Sequence, residues 1–169
     1  MSGIGENGAI GDRSATAFSD WVSPHWPLMA ALARRLSNPG DWEDVLQESL
    51  GSAWRKRGQF DADRGSARNW LLAITADQAR KSYRRVRLLP VPAVPERPGP
   101  APDQALGLDL ERSVAALAPR QRLAISLHYY LGLPVAEVAA VMACSEGTVK
   151  STLADARTRI RSLLGEDYR

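Results

Sequence analysis

The stretch PVPAVPERPGPAPDQALGLD, Pro90–Asp109, decides how this 169-residue chain is divided. Six of the chain's eleven prolines (Pro90, Pro92, Pro95, Pro98, Pro100 and Pro102) fall within it. Each fixes φ and removes a backbone donor, which suits neither helix interior nor central strand. The stretch is expected to be an extended, semi-rigid linker over 90–109, reaching about 60 Å at ~3.1 Å per residue. All five tryptophans (Trp21, Trp26, Trp42, Trp54, Trp70) precede it. Two domains of different composition follow, over 18–89 and 110–169, with residues 1–17 expected as a disordered tail. Neither domain shows strand alternation or a hairpin signal, so the fold class is all-α.

C-terminal to the linker, helix breaks fall at Pro119, at Gly132-Leu133-Pro134 and at Ala143-Cys144-Ser145. Pro134 suits the first position of a helix running to Met142, with Val138, Val141 and Met142 as its apolar residues. Ser145 is a good N-cap for the next helix, Glu146 to about Leu164. Small Ala139 would let the two helices cross closely, while Val149 and Leu153 pack back on the first. This is a helix-turn-helix pattern, whose second helix enters a DNA major groove N-terminus first. It would offer Ser145, Glu146, Thr148, Lys150, Ser151 and Thr152, with Arg157, Arg159 and Arg161 toward the phosphates. Asp155, between Lys150 and Arg157, is expected to repel phosphate. The same pattern also fits a helical hairpin used only for packing. His128 and Cys144 read as structural residues.

N-terminal to the linker, Trp26–Leu36 forms one helix, stopped at Asn38-Pro39-Gly40. Asp41 stands where the next N-cap belongs, with Glu43 and Asp44 in the first turn near the positive end of the dipole. Leu46, Leu50, Ala53 and Trp54 make its apolar stripe, and Asp44 and Glu48 lie opposite, flanked by Gln47 and Glu43. For an acidic helix taken in isolation, a solvated surface is the better reading of such a face. After a loop over Gly58–Ser66, a helix from about Arg68 to Arg87 is apolar in its first half and basic at its end. Arg80, Lys81, Arg84, Arg85 and Arg87 share roughly half its circumference. Beside an exposed Trp70, they suit a phosphate backbone with unstacked bases. A basic cluster complementing the helix dipole is the alternative, though that needs fewer than five charges.

Composition narrows the function classes. Charged residues make up 24% and hydrophobic ones 44%, which is ordinary for a globular protein. The longest apolar run, Leu28 to Ala33, is far short of the ~18 residues that span a bilayer. The Gly-rich start Met1–Gly11 lacks the pattern of a secretory signal, so a cytoplasmic location without membrane insertion is expected. One cysteine and two distant histidines leave no disulfide framework and no metal cluster. No nucleophile–base pair, phosphate loop or paired carboxylate is visible, so no catalytic residue, cofactor or metal is assigned and the chain is not expected to be an enzyme. The net charge of +3 permits nucleic-acid binding.

Two segments carry a family resemblance. DWEDVLQESLGSAWRKRGQFDADRGSARNWLLAITADQARKSYRR (Asp41–Arg85) resembles region 2 of the extracytoplasmic-function sigma factors of bacterial RNA polymerase, in the sigma-70 family. LAPRQRLAISLHYYLGLPVAEVAAVMACSEGTVKSTLADARTRIRSLLG (Leu117–Gly165) resembles their region 4. The resemblance implies a transcription initiation factor that binds core RNA polymerase and directs it to promoters. Asp44, Gln47 and Glu48 would dock on the coiled-coil clamp of the largest polymerase subunit. Asp61, Arg64 and Ser66 of the loop, with Trp70, Asp77, Arg80, Lys81, Arg84 and Arg85 of the long helix, would engage and help melt the −10 element. Ser145, Glu146, Thr148, Lys150, Ser151 and Arg157 would read the −35 element. Promoter DNA, polymerase core and an anti-sigma factor are the implied partners.

The chain departs from the family pattern at four positions. Asp77 and Lys81 stand where the family usually has Asn and Asp, so base preference at −10 does not transfer. Thr152 and Asp155 replace frequently basic residues in the recognition helix. Two other readings fit the residues: a helix-turn-helix regulator acting without polymerase core, and a sigma-like decoy that keeps the acidic docking face but opens no promoter.

Overall fold

Ser14 opens the first helix: its side-chain oxygen accepts from the Ala17 amide at 3.2 Å, satisfying one of the otherwise orphaned first-turn donors. The computed structural model describes residues 14–87 and 102–167. In these residues the chain runs α1 (Ala15–Val22), α2 (Trp26–Leu36), α3 (Trp42–Lys56), α4 (Ala67–Arg87), α5 (Pro102–Ala115), α6 (Pro119–Ile125), α7 (Val135–Met142) and α8 (Glu146–Asp167), with no strand.

Two expected boundaries move. Helix α1 begins within the stretch read as a disordered tail, because the Ser14 cap and the apolar Phe18, Trp21 and Val22 give it a start and a buried face. Helix α5 begins at Pro102, inside the expected linker. A proline costs nothing at the first helical position, where its missing N–H would be unpartnered anyway. The remaining linker prolines, Pro90 to Pro100, and residues 1–13 of the tail lie outside the described residues.

Helices α1 to α4 form the first domain, with α4 packed against both α2 and α3. Its core holds Met29, Leu32, Val45, Leu71 and Leu72, each at most 2% exposed. Phe18, Trp21, Trp54, Phe60 and Trp70 join as neighbouring rings with centroids 5.2–6.1 Å apart, in tilted and edge-on pairs that suit the ring quadrupoles. Ser49 and Thr75 are fully buried yet satisfied, donating to the Val45 and Leu71 carbonyls at 2.6 and 2.9 Å. Gly40, at φ +94°, makes the left-handed turn between α2 and α3. Asp41 does not cap α3 through its side chain; its backbone is already helical and its carboxylate accepts from the Asn38 side chain at 3.3 Å.

The second domain packs α8 against α5, α6 and α7. A five-residue π-helical turn, Ser126–Tyr130, continues α6, and His128 Nδ1 lies 2.8 Å from the Leu133 carbonyl oxygen, fixing the ring as a structural tie. Between α7 and α8 the break expected at Ala143-Cys144-Ser145 is present: Ala143 is left-handed at φ 49°, ψ 51°. Helix α7 starts one residue later than expected, with Pro134 as its cap position.

Candidate nucleic-acid and polymerase interface

Helix α3 presents the acidic set. Val45, Leu46, Ser49, Ser52 and Ala53 are its buried residues, and Asp44, Gln47 and Glu48 are exposed on the other side. Leu50 and Trp54, read as part of the apolar stripe, are half-buried at its edge. The three polar side chains are thus carried on a helix pinned through its opposite face, which fixes the direction of a negative surface.

The loop before α4 is short and internally tied. The Asp61 carboxylate accepts from the Asp63 amide at 3.0 Å, and Ser66 accepts from the Asn69 amide at 3.2 Å, capping α4. Asp61 and Arg64 are exposed. Trp70 differs from expectation: it is half-buried and packs on Phe60 and Trp21 rather than standing free.

The basic end of α4 divides into two faces. Asp77, Arg80 and Arg84 share a face with Tyr83, and this face looks toward α6 and α7 of the second domain. Lys81 and Arg85 lie further round the helix. Asp77 bridges Arg80 at 2.5 Å and Lys81 at 2.8 Å. The hydrogen bond from Lys81, supported by Arg80, holds the Asp77 carboxyl below the usual carboxylate range, against partial burial, which acts the other way.

Helix α8 buries Val149, Leu153 and Ala156 and exposes Ser145, Glu146, Thr148, Lys150, Ser151 and Arg157. Ser145 is the expected cap, accepting from the Thr148 amide at 3.1 Å. Lys150, Arg157 and Arg161 recur on one flank at about 100° per residue, whereas Asp155 lies about 160° round from Arg157. Asp155 therefore lies off the Lys150–Arg157–Arg161 flank and beside Arg159, about 40° away, which stands on the opposite side of the helix from Lys150. Arg157 is also held by a partner that periodicity did not reveal: its Nη1 donates to the Tyr129 hydroxyl at 3.1 Å, from the π-helical turn.

The sequence reading missed how the two domains meet. Arg122 donates to the Leu36 carbonyl at 2.9 Å, Arg68 pairs with Glu137, and Arg35 pairs with Glu111 at 3.0 Å while covering the Tyr130 ring at 3.4 Å. Burial lowers the pKa of Arg122, with the nearby Tyr83 acting in the opposite direction. Among the described residues no group of three or more His, Cys, Asp or Glu could hold a metal ion, and no helix is long and apolar enough to cross a membrane.

A helical domain with an acidic face and a basic helix, followed by a helix-turn-helix domain, defines a two-part DNA-binding architecture. Residues 21–88 match the Sigma-70 region 2 family and residues 107–160 the Sigma-70, region 4 family. The ECF RNA polymerase sigma factor SigM of Mycobacterium tuberculosis is 31% identical over 160 residues, covering 92% of this chain and 80% of that protein. The solved structure of CnrH with the cytosolic domain of CnrY matches at a TM-score of 0.69 and 28% identity, over 94% of this chain and 93% of CnrH. RpoE of Bartonella quintana, solved with the anti-sigma factor NepR, matches at 0.65 and 28% identity, over 89% of this chain and 98% of RpoE. The chain belongs to the extracytoplasmic-function sigma factors of the sigma-70 family. It is a transcription initiation factor that works by binding RNA polymerase and promoters, not by catalysis.

Proposed function

We propose that the two domains divide promoter recognition between them, and that the division follows the exposed faces of three helices. Asp44, Gln47 and Glu48 of α3 dock on a basic surface of core polymerase, where complementary charge favours encounter and orientation. Asp61, Arg64 and Ser66, with Trp70, Asp77, Arg80, Lys81, Arg84 and Arg85, hold the opened −10 element. Unstacking a base there costs a few kcal/mol, offset by contacts that only a single strand offers. Ser145, Glu146, Thr148, Lys150, Ser151 and Arg157 read the −35 element in the major groove. The protein works in the cytoplasm, and an anti-sigma factor, the class of partner bound to the RpoE relative, covers the same surfaces when transcription is off.

The observation that carries this reading is α8 itself: an N-terminal half capped by Ser145, seated on Val149, Leu153 and Ala156, with its polar side chains left exposed. Permanganate footprinting of promoter DNA with reconstituted holoenzyme tests it. Reactive thymines at −10, lost with Arg80→Ala/Arg84→Ala/Arg85→Ala and reduced with Lys150→Ala/Arg157→Ala, are the expected outcome. A wild-type footprint in both variants contradicts the residue assignment.

A further inference from the structure

Between α4 and the paired helices α6 and α7 lies a cleft of about 400 Å³. That volume falls within the range of small-molecule sites, ~300–1,000 Å³. Four arginines line it, Arg80 and Arg84 from the first domain and Arg120 and Arg122 from the second, against the single carboxylate of Asp77. That carboxylate is already engaged by Arg80 and Lys81. Arg84 and Arg120 have no acidic partner among the described residues, and Arg122 sits 5.4 Å from the centre of the Tyr83 ring. The Nη2 of Arg122 reaches only the neutral carbonyl of Leu36, and its Nε is buried with no hydrogen-bond partner. A buried donor left over in this way calls for a missing acceptor, and for a guanidinium the best-matched acceptor is a phosphate or carboxylate oxygen. The rest of the lining is apolar, from Ala76, Leu123, Val141 and Met142, with the Tyr83 ring at its edge.

We propose that this cleft binds a nucleotide-sized organic polyphosphate that bridges the two domains. The phosphates lie among Arg84, Arg120 and Arg122, and the base packs along Tyr83 and the apolar lining. A bound ligand ties α4 to α6 and keeps Arg80 and Arg84 turned toward the second domain. Only this consequence for DNA access rests on the −10 assignment; binding itself does not.

The test is calorimetric titration of the full chain with ATP, GTP and inorganic tripolyphosphate, and, in a separate arm, with a single-stranded oligonucleotide. Saturable one-to-one binding of a nucleoside triphosphate is expected, with tripolyphosphate weaker because it lacks the base. Arg120→Glu, an exposed position outside the promoter-contacting set, should weaken binding at least about tenfold, a 1.4 kcal/mol change. Lys56→Glu makes the same charge change outside the cleft and should leave binding as in wild type. Circular dichroism of both variants checks the fold. Absence of nucleotide binding below about 1 mM overturns the proposal. So does an unaffected Arg120→Glu, an equal loss in Lys56→Glu, or binding confined to the oligonucleotide, which would place the cleft on the nucleic-acid path. Permanganate footprinting of promoter opening by Arg120→Glu holoenzyme, carried out without nucleoside triphosphate, reports separately on the initiation function.

Discussion

Arg122 Nη2 donates to the carbonyl oxygen of Leu36 at 2.9 Å, so a guanidinium from α6 closes the C-terminal end of α2, eighty-six residues earlier in the chain. A carbonyl in the last turn of a helix has no intrahelical donor, and a cation there also complements the dipole. With Arg35–Glu111 and Arg68–Glu137, this contact holds together two domains that must reach separate promoter elements. The ion pairs are partly exposed and individually worth about 1 kcal/mol or less. The ion pairs therefore add little to the closed arrangement beyond the Arg122 contact and the packing of α4 on α7.

Arg35→Ala/Arg68→Ala should leave it closed. Small-angle scattering is expected to give the same radius of gyration for the double variant as for wild type, with helix content unchanged by circular dichroism. A larger radius would mean that the buried Arg122 contact and the apolar surface between α4 and α7 do not suffice.

Charge reversal at Asp44→Lys/Glu48→Lys should abolish most core-polymerase binding in a pull-down while shifting stability by no more than about 0.5 kcal/mol, because both side chains are exposed and unpaired with the core. Unchanged capture of core would remove α3 as the docking face.

Asp77 makes stability depend on pH in a defined direction. Its folded pKa lies below the ordinary value of 3.8, through Lys81 and then Arg80. The stabilisation is fully present above about pH 4 and fades as pH falls through the folded pKa. Thermal melts of wild type and Asp77→Asn should differ by a constant amount at neutral pH and converge in strong acid. A constant difference down to about pH 2 would show that the carboxylate charge is not the cause.

Much of this was legible locally, and the reasons are physical. Trp26–Leu36 is helical with the limits its sequence implies, since Pro27 starts it and Asn38-Pro39-Gly40 ends it. Ser145 could be read as a cap because a hydroxyl stands directly before an apolar period. Asp41 had the same credentials, yet its carboxylate is drawn to Asn38, a choice set by the turn and not by composition. Pro102 reads as linker in sequence because a proline that ends an extended run and one that begins a helix are the same residue. The interdomain contacts left no local trace: Arg68 and Glu137 lie 69 positions apart, and Arg35 and Glu111 lie 76 apart. No periodicity connects such pairs, so the cleft between α4 and α6 emerged only from the fold.

Replacing Arg80, Arg84 and Arg85 by alanine should reduce open-complex formation and flatten its salt dependence. Each lost phosphate contact removes about 0.7 to 0.9 from the log–log slope. Arg85 lies off the cleft-facing side of α4, so its single substitution should lower the slope without altering nucleotide binding. Matching slopes for wild type and the triple variant would show that these arginines do not touch the backbone.

The most direct measurement is run-off transcription with purified core polymerase, paired with anisotropy titration of a −35 duplex by the free chain. Promoter-specific transcripts are expected only when core and this chain are both present. The free chain should bind the duplex no tighter than about 10⁻⁴ to 10⁻⁶ M, the range of non-specific binding at physiological salt. Docking on polymerase supplies the missing affinity by fixing the separation of the two domains. Tight, sequence-specific duplex binding by the chain alone, with no transcript on adding core, would contradict the account and identify a regulator that acts without polymerase.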